Sequence, residues 1–178
     1  MEEMVDQQAL ARLLDKEAIR EAILTQARGV DRHDDEMVAR TYHEGAREDH
    51  GHYIGDAAGF IAHARRGHER YFDAHQHYVT NQTIDLDGDA AHAETYYFAA
   101  LRRKDGGVDL VGGRYLDRLE RRGGRWAIAQ RACLVEWNGE LSPGRSDLAD
   151  LFLQGRRDRE DLSYQRPLAV TRPNLDLS

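Results

Sequence analysis

Cysteine is almost missing from this sequence: Cys133 stands alone among 178 residues. That rules out an internal disulfide and any site that needs several thiolates, and a reducing compartment is expected. Lysine is nearly as scarce, with only Lys16 and Lys104, so arginine supplies almost all of the positive charge. Acidic residues outnumber basic ones, 32 to 25, for a formal net charge of −7. Phosphate neutralisation needs a basic face, so this balance argues against a nucleic-acid partner. No apolar run approaches the roughly 20 residues that span a bilayer. The acidic start, MEEMVDQQ, also lacks the basic and apolar regions of a secretory signal. A soluble, cytoplasmic chain with no membrane partner is expected.

What is present divides into helices followed by strands. From about Val5 to Asp31 there is no proline and no glycine before Gly29, and Ile19, Ala22, Ile23, Ala27 and Val30 recur at helical spacing. Asp34 or Asp35 can cap a second, shorter helix ahead of Met37 and Val38. The stretch through Gly45, Gly51 and Gly55 reads as a loop, and Phe60, Ile61, Ala64 and Tyr71 mark a third helix over residues 57–72.

After His75 the period changes. Turns at Asp87-Gly88-Asp89, Asp105-Gly106-Gly107 and Arg122-Gly123-Gly124 separate runs near 75–86, 90–104, 108–121 and 125–137, which predicts an antiparallel meander. Gly112-Gly113 in the third run predicts a bulge or bend. Helices followed by a meander make an α+β pattern, a curved antiparallel sheet wrapped into a cone around the N-terminal helices. Residues 1–141 are expected to form this one domain. Residues 142–178 read as a tail with a short helix near Asp147 to Leu153, packing on the surface or on a partner subunit.

Helical spacing puts Asp31 on the face of Ile23 and Ala27, and a carboxylate near a helix C-terminus is electrostatically disfavoured. Such a residue is either used in a pocket or satisfied locally, by capping the next helix or pairing with Arg28 or Arg32. His77 alternates with His75 and Val79 on one face of the first predicted strand, where an imidazole either faces a cavity or hydrogen-bonds the backbone. A neutral imidazole can abstract a proton, and a carboxylate on its other nitrogen fixes the tautomer.

Further candidates for a pocket are Tyr42, Tyr53, Tyr96, Tyr97, Phe98, Tyr115, Trp126, Arg131 and Trp137, of which alternation lets about half face inward. Tyr53 or Tyr97 could donate to an oxyanion, and Arg131 could hold an anionic intermediate. His50-Gly51-His52, with His43 and Asp49 nearby, has the composition of a metal loop, but a Gly-rich polar loop gathers histidines without binding anything. His63 and His68 miss the i, i+4 spacing of a helical metal pair. No metal is assigned, and no phosphate loop or nucleophile motif is present.

The stretches RGVDRHDDE, HQHYVTNQTIDLDGDAAHAETYYF and GGRYLDRLERRGGRWAIAQR resemble the SnoaL-like (nuclear transport factor 2-like) superfamily over residues 10–138. The branch they resemble holds scytalone dehydratase, hexachlorocyclohexane dehydrochlorinase and bile-acid dehydratases. The resemblance implies a cone-shaped fold and an acid–base pair at Asp31 and His77, the latter four positions before Asn81. Tyr42, Tyr53, Tyr97, Tyr115 and Arg131 then become candidates for binding substrate.

It further implies a cofactor-independent lyase, isomerase or cyclase acting on an apolar, cyclic small molecule. A homo-oligomer, dimer or trimer, would cover the outer sheet face. The same superfamily contains non-catalytic members, including the small subunits of ring-hydroxylating dioxygenases, so a binding or assembly role is the alternative.

Overall fold

The computed structural model describes residues 6–144 and 152–169. Helix α1, Gln7–Arg32, begins where the Asp6 carboxylate accepts hydrogen bonds from the Gln8 and Ala9 amides. It ends at His33, whose left-handed backbone (φ 53°) breaks the helical run. Its buried positions Ile19, Ile23, Gln26 and Ala27 keep helical spacing, so the face that reaches Asp31 is the face turned to the core.

Asp34 caps α2, Asp35–Ala39, by accepting from the Met37 amide. The two helices meet closely at Gly29, where an added Cβ would lie 2.7 Å from Val38 Cγ2. Helix α3 spans Ala57–Tyr71 and is capped by Asp56.

The long strands are β3, Phe72–Asp87; β4, Ala90–Arg103; β5, Val108–Arg122; and β6, Arg125–Leu141. They pair as an antiparallel meander, as the three turns predict. The segment expected to be a loop instead contains β1, Tyr42–Asp49, and β2, Ile54–Asp56. β1 runs parallel to β6, so the open six-stranded sheet is mixed, in the order β2-β1-β6-β5-β4-β3.

Two features disguised β1 in the sequence. Its inward positions include the charged Glu48, and Gly45 at φ 76° interrupts the alternation near a shift of register. The Gly112-Gly113 bulge is present, with a register shift between the two residues. The Trp137 ring lies over Gly112, and the Leu134 carbonyl lies where a Gly113 side chain would start.

The core is solid at one end and open at the other. Ile19, Ile23, Leu119 and Ile128 are fully buried in the main cluster, each contributing about 1.5–3 kcal/mol by the usual transfer scale. A smaller cluster of Tyr97, Ala99 and Tyr115 lines the other end of the cone, where a cavity opens. Beyond the sheet, Tyr164 and Arg159 both bond Asp34, and Arg28 lies against the Tyr164 ring, so residues 159–164 clasp the end of α1. Most of the helix expected near Asp147 to Leu153 lies outside the described residues; Phe152 and Leu153 are not helical.

Candidate active site

The last turn of α1 and the start of β3 bring Asp31 and His77 together. Asp31 Oδ1 accepts from His77 Nδ1 at 2.7 Å, and Oδ2 accepts from the His77 backbone amide at 3.0 Å. This two-point grip fixes both the ring and the strand that carries it. With Nδ1–H committed to the carboxylate, a neutral imidazole keeps its lone pair on Nε2. His77 lines a cavity of about 860 Å³, within the usual range for small-molecule sites.

The cavity wall is largely apolar and aromatic, with Val30, Phe60, Leu101, Val111, Tyr97 and Tyr115 among its residues. Tyr97 and Tyr115 stack at 4.4 Å between centroids. Burial raises the pKa of both phenols, so they stay protonated; the Tyr97 hydroxyl donates to the Leu134 carbonyl at 3.5 Å and lies 3.4 Å from Cys133 Sγ.

A second imidazole on this wall belongs to His50, just past β1. Its Nδ1 lies 3.0 Å from Glu48 Oε1, and the other oxygen of Glu48 accepts the Tyr42 hydroxyl at 2.7 Å. Glu48 has no exposed side-chain surface, whereas the His50 side chain is 31 % exposed. Burial works against charge on His50. Hydrogen bonds to Cys133 and Glu48 outweigh it and push its pKa up to about 9. Sequence reasoning set this histidine aside as part of a Gly-rich loop. The signal that could have found it is the two-residue step from Glu48, which in extended chain puts both side chains on one side.

Behind the dyad, His33, His68 and His75 gather with ring nitrogens within 4.8 Å of one another. This set is the one able to hold a metal among the described residues. His75 Nε2 donates to the Val30 carbonyl at 3.0 Å, leaving His75 Nδ1 and His33 Nε2 buried without hydrogen-bond partners. Burial lowers the pKa of both His33 and His75 to about 4, helped in each case by the positive field of Arg157. That same guanidinium works against a divalent cation, and the group reads as a stack of neutral imidazoles supporting β3.

The remaining candidates divide clearly. Tyr97 and Tyr115 are on the cavity wall, while Tyr42, Tyr53 and Arg131 are not. Tyr42 is buried on Glu48, and the Tyr53 hydroxyl donates to the Asp56 carbonyl at the start of α3. Arg131 is 3 % exposed and grips Asp117 with two hydrogen bonds, 2.7 and 2.8 Å, beneath the Tyr115 ring. Trp126 is buried and donates to Asp15. Tyr96 and Trp137 stand exposed, and Phe98 is stacked between Tyr78 and Trp137.

The chain matches the family model for the SnoaL-like domain over residues 11–132. The chain belongs to the SnoaL-like family. Among solved structures, it is similar to a hexachlorocyclohexane dehydrochlorinase (LinA, type 2), with TM-score 0.71 and 19 % identity over 78 % of this chain and 98 % of that one. It is similar also to a putative scytalone dehydratase from Novosphingobium aromaticivorans, with TM-score 0.66 and 18 % identity over 76 % of this chain and 97 % of that one. A putative aromatic ring hydroxylase from Novosphingobium aromaticivorans follows with TM-score 0.65 and 23 % identity, over 72 % and 94 % of the two chains. At these identities the likeness establishes a shared fold. No curated protein matches the chain. None of the described helices is long and apolar enough to cross a membrane.

Proposed function

We propose that this SnoaL-like protein is a cofactor-independent lyase or isomerase of the dehydratase type, acting on an apolar, cyclic small molecule. The observation that carries the reading is the Asp31–His77 grip at the wall of an apolar cavity. His77 Nε2 removes a proton from a carbon next to an electron-withdrawing group. Asp31 holds the tautomer and stabilises the imidazolium that forms, and Tyr97 or Tyr115 donates to the developing oxyanion. No step requires a metal or an organic cofactor. The fold shared with a dehydrochlorinase and a putative dehydratase supports eliminations as the reaction type.

In this reading residues 1–141 form the catalytic domain, residues 142–178 are a surface tail, and the enzyme works in the cytoplasm. The exposed aromatic row Tyr78, Phe98 and Trp137 on the sheet favours a homo-oligomer that covers it. A non-catalytic assembly subunit would use the same outer face but would have no use for the dyad.

The test is a turnover screen of cyclic alcohols, ketones and halides with the wild type and Asp31→Ala. Elimination that is lost in a folded variant supports the lyase. Equal turnover in both sinks it.

A further inference from the structure

The cavity wall carries a second imidazole, His50, backed by Glu48, that proton abstraction by His77 does not use. Glu48 is sealed from solvent and spends one oxygen on Tyr42 and the other on His50. The buried charges around it do not balance without His50. Asp117 and Arg131 neutralise each other through their two hydrogen bonds, so Glu48 is left as an unpaired carboxylate unless the imidazole beside it is charged. An unpaired buried charge costs several kcal/mol, so one proton resides on the Glu48–His50 pair, and the hydrogen bond that Glu48 accepts from Tyr42 favours the carboxylate and so a proton on the imidazole 3.0 Å away.

We propose that His50 is the acid of the site, an imidazolium anchored by Glu48 that protonates an oxygen leaving group on the substrate while His77 acts as base. The substrate class is accordingly one that loses a hydroxyl rather than a halide. This assignment rests on the lyase reading and narrows it.

The step balances. His77 Nε2 takes the proton from carbon, and the C–H electron pair becomes the new C=C bond. The C–O bond breaks with its electrons going to oxygen, which receives the His50 proton and departs as water. The enzyme then carries a proton on His77 and none on His50, and transfer between them through solvent in the cavity restores the starting state.

Groups facing His50 from every packed element agree with its charge. Glu48 of β1 lies at hydrogen-bond distance from its Nδ1, Cys133 of β6 favours the protonated form, Phe60 of α3 lies at 4.9 Å between ring centroids, and His52 follows in the same loop. His63 of α3 is held below its usual pKa, first by burial and then by His52, Arg66 and His50, so it does not compete for the proton. The imidazolium persists through neutral pH, with its pKa pushed up to about 9. An oxygen leaving group needs that proton and a halide does not.

Two measurements test the acid separately from the base. Nitrogen-15 NMR of histidine-labelled protein, with His50 assigned through His50→Gln, needs no substrate. The expected result is an imidazolium at pH 7.5 that becomes neutral there in Glu48→Gln; a neutral His50 at pH 7.5 in the wild type overturns the proposal. Kinetics on a matched hydroxyl and halide pair with one carbon skeleton then read the role. His50→Gln should lower hydroxyl turnover about 100-fold more than halide turnover. Equal loss on both substrates overturns the acid assignment while leaving the base intact. Turnover that survives His77→Ala instead condemns the base reading, whatever the charge of His50.

Discussion

Asp31 holds His77 at two points, with one carboxylate oxygen on the ring nitrogen Nδ1 and the other on the backbone amide of the same residue. A single hydrogen bond would leave the ring free to turn. Two bonds lock the start of β3 to the end of α1, so the orientation of the imidazole is set by the packing of those elements. In the neutral form of His77, nitrogen-15 NMR should show the proton on Nδ1. In Asp31→Ala that preference should vanish while far-UV circular dichroism stays unchanged. A His77 proton on Nε2 in the wild type would contradict the orientation.

Arg131 and Asp117 are both fully buried in their side chains and pair through Nε and Nη2, with Arg131 Nη1 left without a hydrogen-bond partner. Arg131→Ala should therefore cost about 3–5 kcal/mol of stability by stranding a buried carboxylate. The double variant Arg131→Met with Asp117→Leu should recover most of that loss. Urea unfolding of the three proteins checks both expectations, and a stable Arg131→Ala variant with altered substrate binding would return Arg131 to the site.

Acid should destabilise the fold through the imidazole stack. His33 and His75 titrate near pH 4 when folded and near 6.5 when unfolded. Between those values the unfolded chain binds more protons. Their contribution to stability is thus complete above pH 6.5 and is lost as pH falls toward 4. Thermal melts should drop across this window, and less steeply in His68→Phe, which removes the deeply depressed member of the stack. A melting temperature flat from pH 7 to pH 4 would show that these rings are solvated.

Gly113→Ala should destabilise by at least about 1–3 kcal/mol, because a side chain there begins 1.8 Å from the Leu134 carbonyl and the bulge must open to admit it. Differential scanning calorimetry reads the loss directly. An unchanged melting temperature would mean that the two strands are not tied at this bulge.

Trp137 is 50 % exposed on the aromatic row of the sheet. Sedimentation should find a dimer or trimer for the wild type and a monomer for Trp137→Glu. A monomeric wild type would remove the oligomer from the proposal.

The long strands were legible because three glycine turns separate them, and the α1 face was legible because Ile19, Ile23 and Ala27 hold helical spacing. β1 was not, since its buried face mixes Tyr42 and Ala46 with His43 and Glu48, and polarity hides a strand when the polar groups satisfy each other inside. The same cause misplaced Arg131. An arginine on an inward strand position looks available for an anion until its partner Asp117, fourteen residues earlier, is brought alongside by the β5–β6 register. Pairings across strands are properties of register, which residue patterns within one strand do not carry.

The most direct test of His77 as the base is deuterium exchange, because it isolates proton removal from every later step. Cyclic β-hydroxy ketones would be incubated with the enzyme in D₂O and followed by proton NMR at the carbon next to the carbonyl. Wild-type protein should accelerate exchange or elimination at that carbon, and His77→Ala, still folded, should lose about 10²–10⁴-fold of the rate. Exchange at the wild-type rate in His77→Ala would contradict the assignment and move the chemistry away from this dyad.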